Sequence, residues 1–168
     1  MNPLHFLIRP QKAFRSLPPR VRTGFMYLAL WLLISAVLSS LLGGVVKGIT
    51  TYVMGLLGTV VLGFWLHFWA YLAGSRHLET TLKIVLYGST PTYLLGWLAT
   101  VPGGRYLQLI PLIWSLVLFG IGLMTLSKFS GPRAALTVIV AAVVGFLLLG
   151  GFAYFTITTF LPLIFALG

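Results

Sequence analysis

The sequence predicts an all-α fold, an integral membrane bundle of five transmembrane helices with the N-terminus cytoplasmic and the C-terminus outside. Three observations lead there. The chain of 168 residues is 59% hydrophobic and only 7% charged, with a mean hydropathy of +1.05, whereas a soluble domain carries roughly 25% charged residues. Its apolar residues fall into successive runs long enough to cross a hydrocarbon core of about 30 Å. Its eleven Lys and Arg residues, set against a single acid, divide unevenly between alternate loops.

Residues 1–23 form a basic amphipathic preface. Between Pro10 and Pro18, Phe14 and Leu17 share one helical face while Lys12, Arg15 and Ser16 lie elsewhere. A short helix lying in the membrane interface is expected, with Pro10 in its first turn. Arg9, Lys12, Arg15, Arg20 and Arg22 are its lipid-facing basic residues; docking onto a cytosolic partner is the other reading. The stretch is longer than the basic head of a signal peptide, so the first span is expected to insert and stay.

The spans follow at about residues 24–46, 51–74, 80–101, 106–126 and 133–160. The first carries no charge, and the second is interrupted only by His67. The third ends at Pro102-Gly103-Gly104, a strong turn signal. After the fourth, Ser127-Lys128-Phe129-Ser130-Gly131-Pro132-Arg133 makes a loop, with Pro132 placed to open the fifth helix. The last apolar run, residues 134–167, exceeds one span and is divided by Gly150-Gly151. It reads as one long helix with an apolar tail near Pro162; a folded-back piece is the alternative. In this topology the five preface residues, Arg76, Lys83, Lys128 and Arg133 fall on one side, and Lys47 and Arg105 on the other. Nine of the eleven basic residues thus mark the cytoplasmic side.

The third span contains Gly88-Ser89-Thr90-Pro91-Thr92. Pro91 lacks an N–H, so the Tyr87 carbonyl loses its helical partner, and in lipid that carbonyl must find another. The Thr90 hydroxyl is placed to reach back to it, and Gly88 leaves room for a neighbouring helix. Pro111 is expected to free the Leu107 carbonyl of the fourth span in the same way, so that two kinked helices form a bent hairpin. The kink serves packing, or else a hinge or polar pocket.

Little chemistry is available. Without cysteine there are no disulfides, thiolate metal sites or palmitoyl anchors in the chain. Glu79 is the only carboxylate, which removes paired-carboxylate mechanisms and the Ser-His-Asp triad. No catalytic, cofactor or metal site is expected, and no aromatic-basic module indicates nucleic acid. The candidate functional polar cluster is His67, Tyr87, Ser89, Thr90 and Pro91. As an ionisable residue within a span, His67 is either a proton relay or a neutral, hydrogen-bonded core residue. Arg76, His77, Glu79 and Lys83 form the cytoplasmic loop after the second span, with Glu79 and Lys83 spaced for an i,i+4 pair. Small-xxx-small spacings at Ser35/Ser39, Gly44/Gly48, Gly55/Thr59 and Ala141/Gly145 predict close helix packing within the bundle, or self-association.

The Pro10-x-x-x-Phe14 preface, the Leu86-Tyr87-Gly88-Ser89-Thr90-Pro91 segment before a proline-glycine turn, and the loop from Ser127 to Ala135 together resemble the Yip1 domain family over nearly the whole chain. The resemblance implies five membrane helices and a cytoplasmic N-terminus. Eukaryotic members act in vesicle trafficking and associate with Rab GTPases. This chain lacks their long hydrophilic N-terminal region and is more similar to compact prokaryotic members, so Rab binding does not carry over. The expected function is non-enzymatic association with membrane lipids, other membrane proteins or a second copy of the chain, in a prokaryotic plasma (inner) membrane. The alternative is a small transporter or channel whose kinked spans 3 and 4 line a polar path.

Overall fold

The computed structural model describes Phe6 and residues 8–166 and, of their side chains, those up to Leu149 other than Ala99 and Arg105. The described residues contain no strand. Their helices are α1 Pro10–Arg15, α2 Val21–Gly43, α3 Val45–Leu72, α4 Leu78–Gly88, α5 Thr90–Leu95, a 3₁₀ helix Gly96–Thr100, α6 Gly104–Leu107, α7 Leu109–Leu126 and α8 Gly131–Ala166. Four of them, α2, α3, α7 and the Gly131–Leu149 part of α8, are long and apolar enough to cross a membrane.

The expected third span is divided. Ser89 separates α4 from α5, and Pro91 stands in the first turn of α5, where its missing N–H leaves no bond within α5 unmade. The broken segment lies at the centre of the bundle: every residue from Ile84 to Pro91 is buried. On one side Leu86 and Tyr87 pack with Leu28 and Leu32 of α2 and with Leu118 of α7. On the other, Ile84 and Val85 pack with Leu66 and Ala70 of α3, Phe119 and Leu123 of α7, and Ala134 and Val138 of α8. The long helices face outward with apolar side chains, among them Leu33, Val53, Val61, Ile113 and Leu147. Lipid takes the outer position that water takes around a soluble bundle.

Glycines permit the close packing around α4. A Cβ at Gly88 would stand 2.8 Å from Phe119 Cδ1, and one at Gly122 would stand 2.7 Å from Ile84 Cγ2. Of the small-residue spacings, Ala141 and Gly145 form the seat for Trp65, whose Nε1 donates to the Ala141 carbonyl at 2.8 Å. Leu32 of α2 packs against Gly55 of α3.

Three boundaries depart from expectation. α2 and α3 meet at the single residue Gly44, whose φ of +88° is one that glycine adopts without penalty, so Lys47 lies inside α3 instead of in a loop. α7 begins at Leu109, which places Pro111 in its first turn. Gln108 parts α7 from α6, so the fourth span is interrupted beside the Leu107 carbonyl, as Pro111 predicts, after the chain has turned at Pro102-Gly103. There Gly104 N–H donates to the Val101 carbonyl at 2.9 Å, and Gly103 has the positive φ, +76°, that a type II turn requires. Finally, α8 continues through Gly150-Gly151 and past 160 to Ala166 as one helix.

The N-terminal segment is part of the bundle. Ala13 and Phe14 of α1 are buried, Pro10 opens the helix, and Phe6 inserts between Phe14 and Tyr87, stacked on the latter at 5.6 Å. The apolar side of α1 therefore faces protein, while Arg9, Lys12, Arg15, Arg20 and Arg22 are exposed or, like their neighbours, at the rim.

Replacing Gly88 by Val should lower the melting temperature in detergent, since overpacking a filled site costs about 1–3 kcal/mol and helix propensity alone predicts the opposite sign. The matched change Gly58→Val, at a position with open space around it, should leave the melting temperature at or above wild type. Equal behaviour of the two variants refutes the close approach of α4 and α7.

Candidate functional site

The break in the central segment interrupts the α-helical bonding of its carbonyls, and side-chain donors add to the backbone bonds there. Thr90 Oγ1 donates to the Tyr87 carbonyl, the bond that the position of Pro91 predicts. Farther along, Trp97 Nε1 donates to the Leu94 carbonyl at 3.0 Å, Thr100 Oγ1 to the Trp97 carbonyl at 2.5 Å, and Gln108 Nε2 to the Gly96 carbonyl at 2.8 Å.

Two of the donors belong to matched chains of hydroxyls. A threonine hydroxyl has one proton. With that of Thr90 given to Tyr87, the 3.1 Å contact between Tyr27 Oη and Thr90 Oγ1 has the tyrosine as donor. Thr59 of α3 likewise donates to the Gly55 carbonyl at 2.6 Å, so Tyr93 of α5 donates to Thr59 across 3.0 Å. A Tyr–Thr–carbonyl chain thus ties the broken segment to α2, and a second ties it to α3. Thr92 of α5 completes the set with a 2.9 Å contact to Ser115 of α7.

Beside these satisfied groups are hydroxyls that are not. Ser35 and Ser39 of α2, one helical turn apart, and Ser89 are buried and have no hydrogen-bond partner. Ser35 Oγ lies 3.0 Å from where a Cβ on Gly96 would stand, so it faces the 3₁₀ turn. A cleft of about 210 Å³ beside that turn is lined by Thr92, Gly96, Gln108 and Pro111 among others.

The expected polar cluster is therefore brought together in part. Tyr87, Ser89, Thr90 and Pro91 are contiguous and buried. His67 is elsewhere: its Nδ1 is 3.3 Å from Thr81 Oγ1, nine residues before Thr90, or about 13 Å along a helix. Its ring leans on Tyr71 with centroids 6.2 Å apart. Sequence reasoning missed Tyr27, Thr59, Tyr93 and Gln108, which bond across 63, 34 and 12 residues of chain.

At the opposite end of the segment, Lys83 pairs with Glu79 at 2.9 Å, with the expected i,i+4 spacing. Lys83 Nζ also donates to the Pro19 carbonyl, fastening the N-terminal segment to α4. Arg76, His77 and Glu79 are exposed. The α3–α4 and α7–α8 loops meet through Ser75 Oγ and Ser127 Oγ at 3.5 Å. Arg133 stacks on Phe129, its guanidinium carbon 4.9 Å from the ring centroid. Among the described residues, no three His, Asp or Glu side chains come together as metal ligands.

This interior offers phenols, alcohols and an amide, groups that stay neutral near pH 7. It can hold backbone, water or a neutral hydrogen-bonding group. Its first task is structural, and the Thr90 bond is the sharpest test. Thr90→Val removes the hydroxyl bond to the Tyr87 carbonyl, which keeps a backbone N–H at the end of α4, and leaves the buried Tyr27 hydroxyl without its acceptor, at a cost of about 1–3 kcal/mol. Tyr27→Phe removes only an interhelical side-chain bond, worth roughly 0.6 kcal/mol in membrane bundles. Thermal denaturation in detergent should rank wild type above Tyr27→Phe above Thr90→Val, with Thr90→Ser close to wild type; an unchanged Thr90→Val would refute the hydrogen-bond account.

No curated protein and no solved structure matches the chain. A family model described as the Yip1 domain matches residues 4–165. The match spans the buried preface, the broken central segment and the long last helix alike, and the chain belongs to the Yip1 domain family.

Proposed function

We propose that the protein is a non-enzymatic, five-span member of the Yip1 family that acts by associating with lipids or other membrane proteins. Its basic end lies in the cytoplasm, its C-terminus outside, and its home is a prokaryotic plasma membrane. The observation that carries this reading is where the polar groups go. The bonded hydroxyls of the central segment are committed to the protein's own backbone and to one another, while the outer faces of the long helices are apolar.

The five-span count is supported by the length of the central segment. Residues 78–100 rise roughly 37 Å as α-helix and 3₁₀ helix, enough for a core of about 30 Å. Its break from Gly88 to Pro91 is enclosed by protein, one of the settings in which broken backbone is tolerated at membrane depth. The orientation rests on the nine basic residues at the end formed by the preface, the α3–α4 loop and the α7–α8 loop.

A transporter or channel is the second reading, with α4, α5 and α7 lining the path. The unpartnered hydroxyls of Ser35, Ser39 and Ser89 and the nearby cleft favour it.

Two measurements test these readings. The cysteine-free chain accepts single reporters: in intact spheroplasts an impermeant maleimide should label Tyr106→Cys and not His77→Cys, and the reverse pattern overturns the orientation. Flux of protons, simple ions and small neutral solutes into liposomes should not exceed that into empty vesicles. Saturable flux that falls in Thr90→Val or His67→Ala would replace the association reading with the transporter.

A further inference from the structure

The outer surface carries a groove of about 350 Å³ between α7 and α8. Ile113, Gly120 and Met124 line it from α7; Gly131, Ala135 and Ile139 line it from α8. The groove opens outward, since Ile113 and Ile139 are 60% and 59% exposed. Small residues keep it open, and Gly120 has no neighbour within 4 Å of where a Cβ would stand.

Its dimensions select an occupant. From Ile113 to Met124, α7 rises about 16 Å, half of a hydrocarbon core of about 30 Å. The groove therefore runs the depth of one leaflet. Dividing 350 Å³ by that length leaves a cross-section of about 22 Å². A helix about 10–12 Å across needs roughly four times as much, whereas a single hydrocarbon chain is that slender. An engineered cavity of about 150 Å³ already accepts benzene, so more than twice that volume takes most of one acyl chain.

Charge selects the headgroup. The groove begins at Met124 and Gly131, on either side of the loop that carries Lys128, which is exposed. Ile121 belongs both to the groove and to the cluster that seats Phe14 of α1. The helix that carries the exposed Lys12 and Arg15 thus packs on α7 as well, and Glu79, the only carboxylate in the sequence, is already paired with Lys83.

We propose that the α7–α8 groove is a binding site for an anionic phospholipid of the leaflet at the basic end, one acyl chain lying along Gly120 and the phosphate at Lys128 with Lys12 and Arg15. The site deepens the association reading and rests on it for the membrane setting alone. An anionic lipid held here would bridge the α7–α8 hairpin and the N-terminal helix, two elements joined otherwise through the core.

The test is lipid retention by protein purified in a maltoside detergent, read by native mass spectrometry and by thermal shift. Phosphatidylglycerol is titrated against phosphatidylcholine with the same acyl chains. Wild type should retain and be stabilised by phosphatidylglycerol in preference. Gly120→Leu, which fills the groove, should lose the bound lipid, while Gly58→Leu, on an open face of α3, should retain it. Lys128→Gln should weaken phosphatidylglycerol about fivefold, the contribution of one surface lysine, and leave phosphatidylcholine unchanged. Equal retention of both lipids by wild type, equal retention by the two leucine variants, or a change of oligomeric mass in Gly120→Leu in place of lipid loss would each overturn the site. The outcomes separate from those of the flux measurement: lipid preference with saturable flux removes the association reading and keeps the groove, and no preference without flux does the reverse.

Discussion

Everything in this fold depends on how the helix break before Pro91 is bonded. A helix crossing lipid normally bonds all its own backbone, and an open carbonyl in that medium costs several kcal/mol. Pro91 denies the Tyr87 carbonyl its α-helical partner within a stretch that is buried throughout. A backbone N–H at the end of α4 and the Thr90 hydroxyl both answer it, and Tyr27 holds that hydroxyl in place from α2. The same logic recurs toward the far end, where Trp97, Thr100 and Gln108 each answer a carbonyl of the irregular turn. Because the partners come from the segment itself and from α2, α3 and Gln108, the break can occupy the centre of the bundle.

That central position reverses the usual division of labour. In a soluble bundle, polar side chains face outward and the core is apolar. Here the long helices present Leu, Ile and Val outward, and the hydroxyls gather inside around α4 and α5. Hydrophobic burial does not drive helices together in lipid as it does in water. Packing against glycine and hydrogen bonds between helices therefore carry more of the association. Gly88 and Gly122 bring α4 and α7 into direct contact, and the Tyr93–Thr59 bond and the Trp65–Ala141 bond join α5 to α3 and α3 to α8.

What was legible in the sequence was local. Thr90 reaching Tyr87, Gly88 admitting a neighbour, Pro10 opening α1 and Glu79 pairing with Lys83 all follow from spacings of one turn or less. Apolar run length identified the four long helices for the same reason. The tyrosine partners were not legible, since which helix faces Thr90 or Thr59 is decided by packing across dozens of residues. Pro111 shows the limit from the other side. The interruption beside Leu107 was legible from it, but the form of that interruption was not, since the turn at Pro102-Gly103 and the short α6 set the start of α7 at Leu109. The inward face of α1 was hidden because an amphipathic helix carries the same pattern whether its apolar side meets lipid or protein.

The preface is where local chemistry and long-range packing meet. Phe6 stacks on Tyr87, the residue whose carbonyl the fold must satisfy, and Tyr27 lies 4.9 Å from Tyr87, ring to ring, while its hydroxyl holds Thr90. One turn before Tyr87, Lys83 joins Glu79 on its own helix to the Pro19 carbonyl of the preface. The N-terminal segment thus touches α4 twice, once through an aromatic stack and once through a charge. A force on α1, from a lipid headgroup or a neighbouring protein at its basic rim, would reach the hydrogen-bonded break directly. Among the described residues no Asp, Glu, Lys, Arg or His side chain is buried, so the contacts that join the basic rim of the preface to the break are the aromatic stack and the Lys83 bond at its edge.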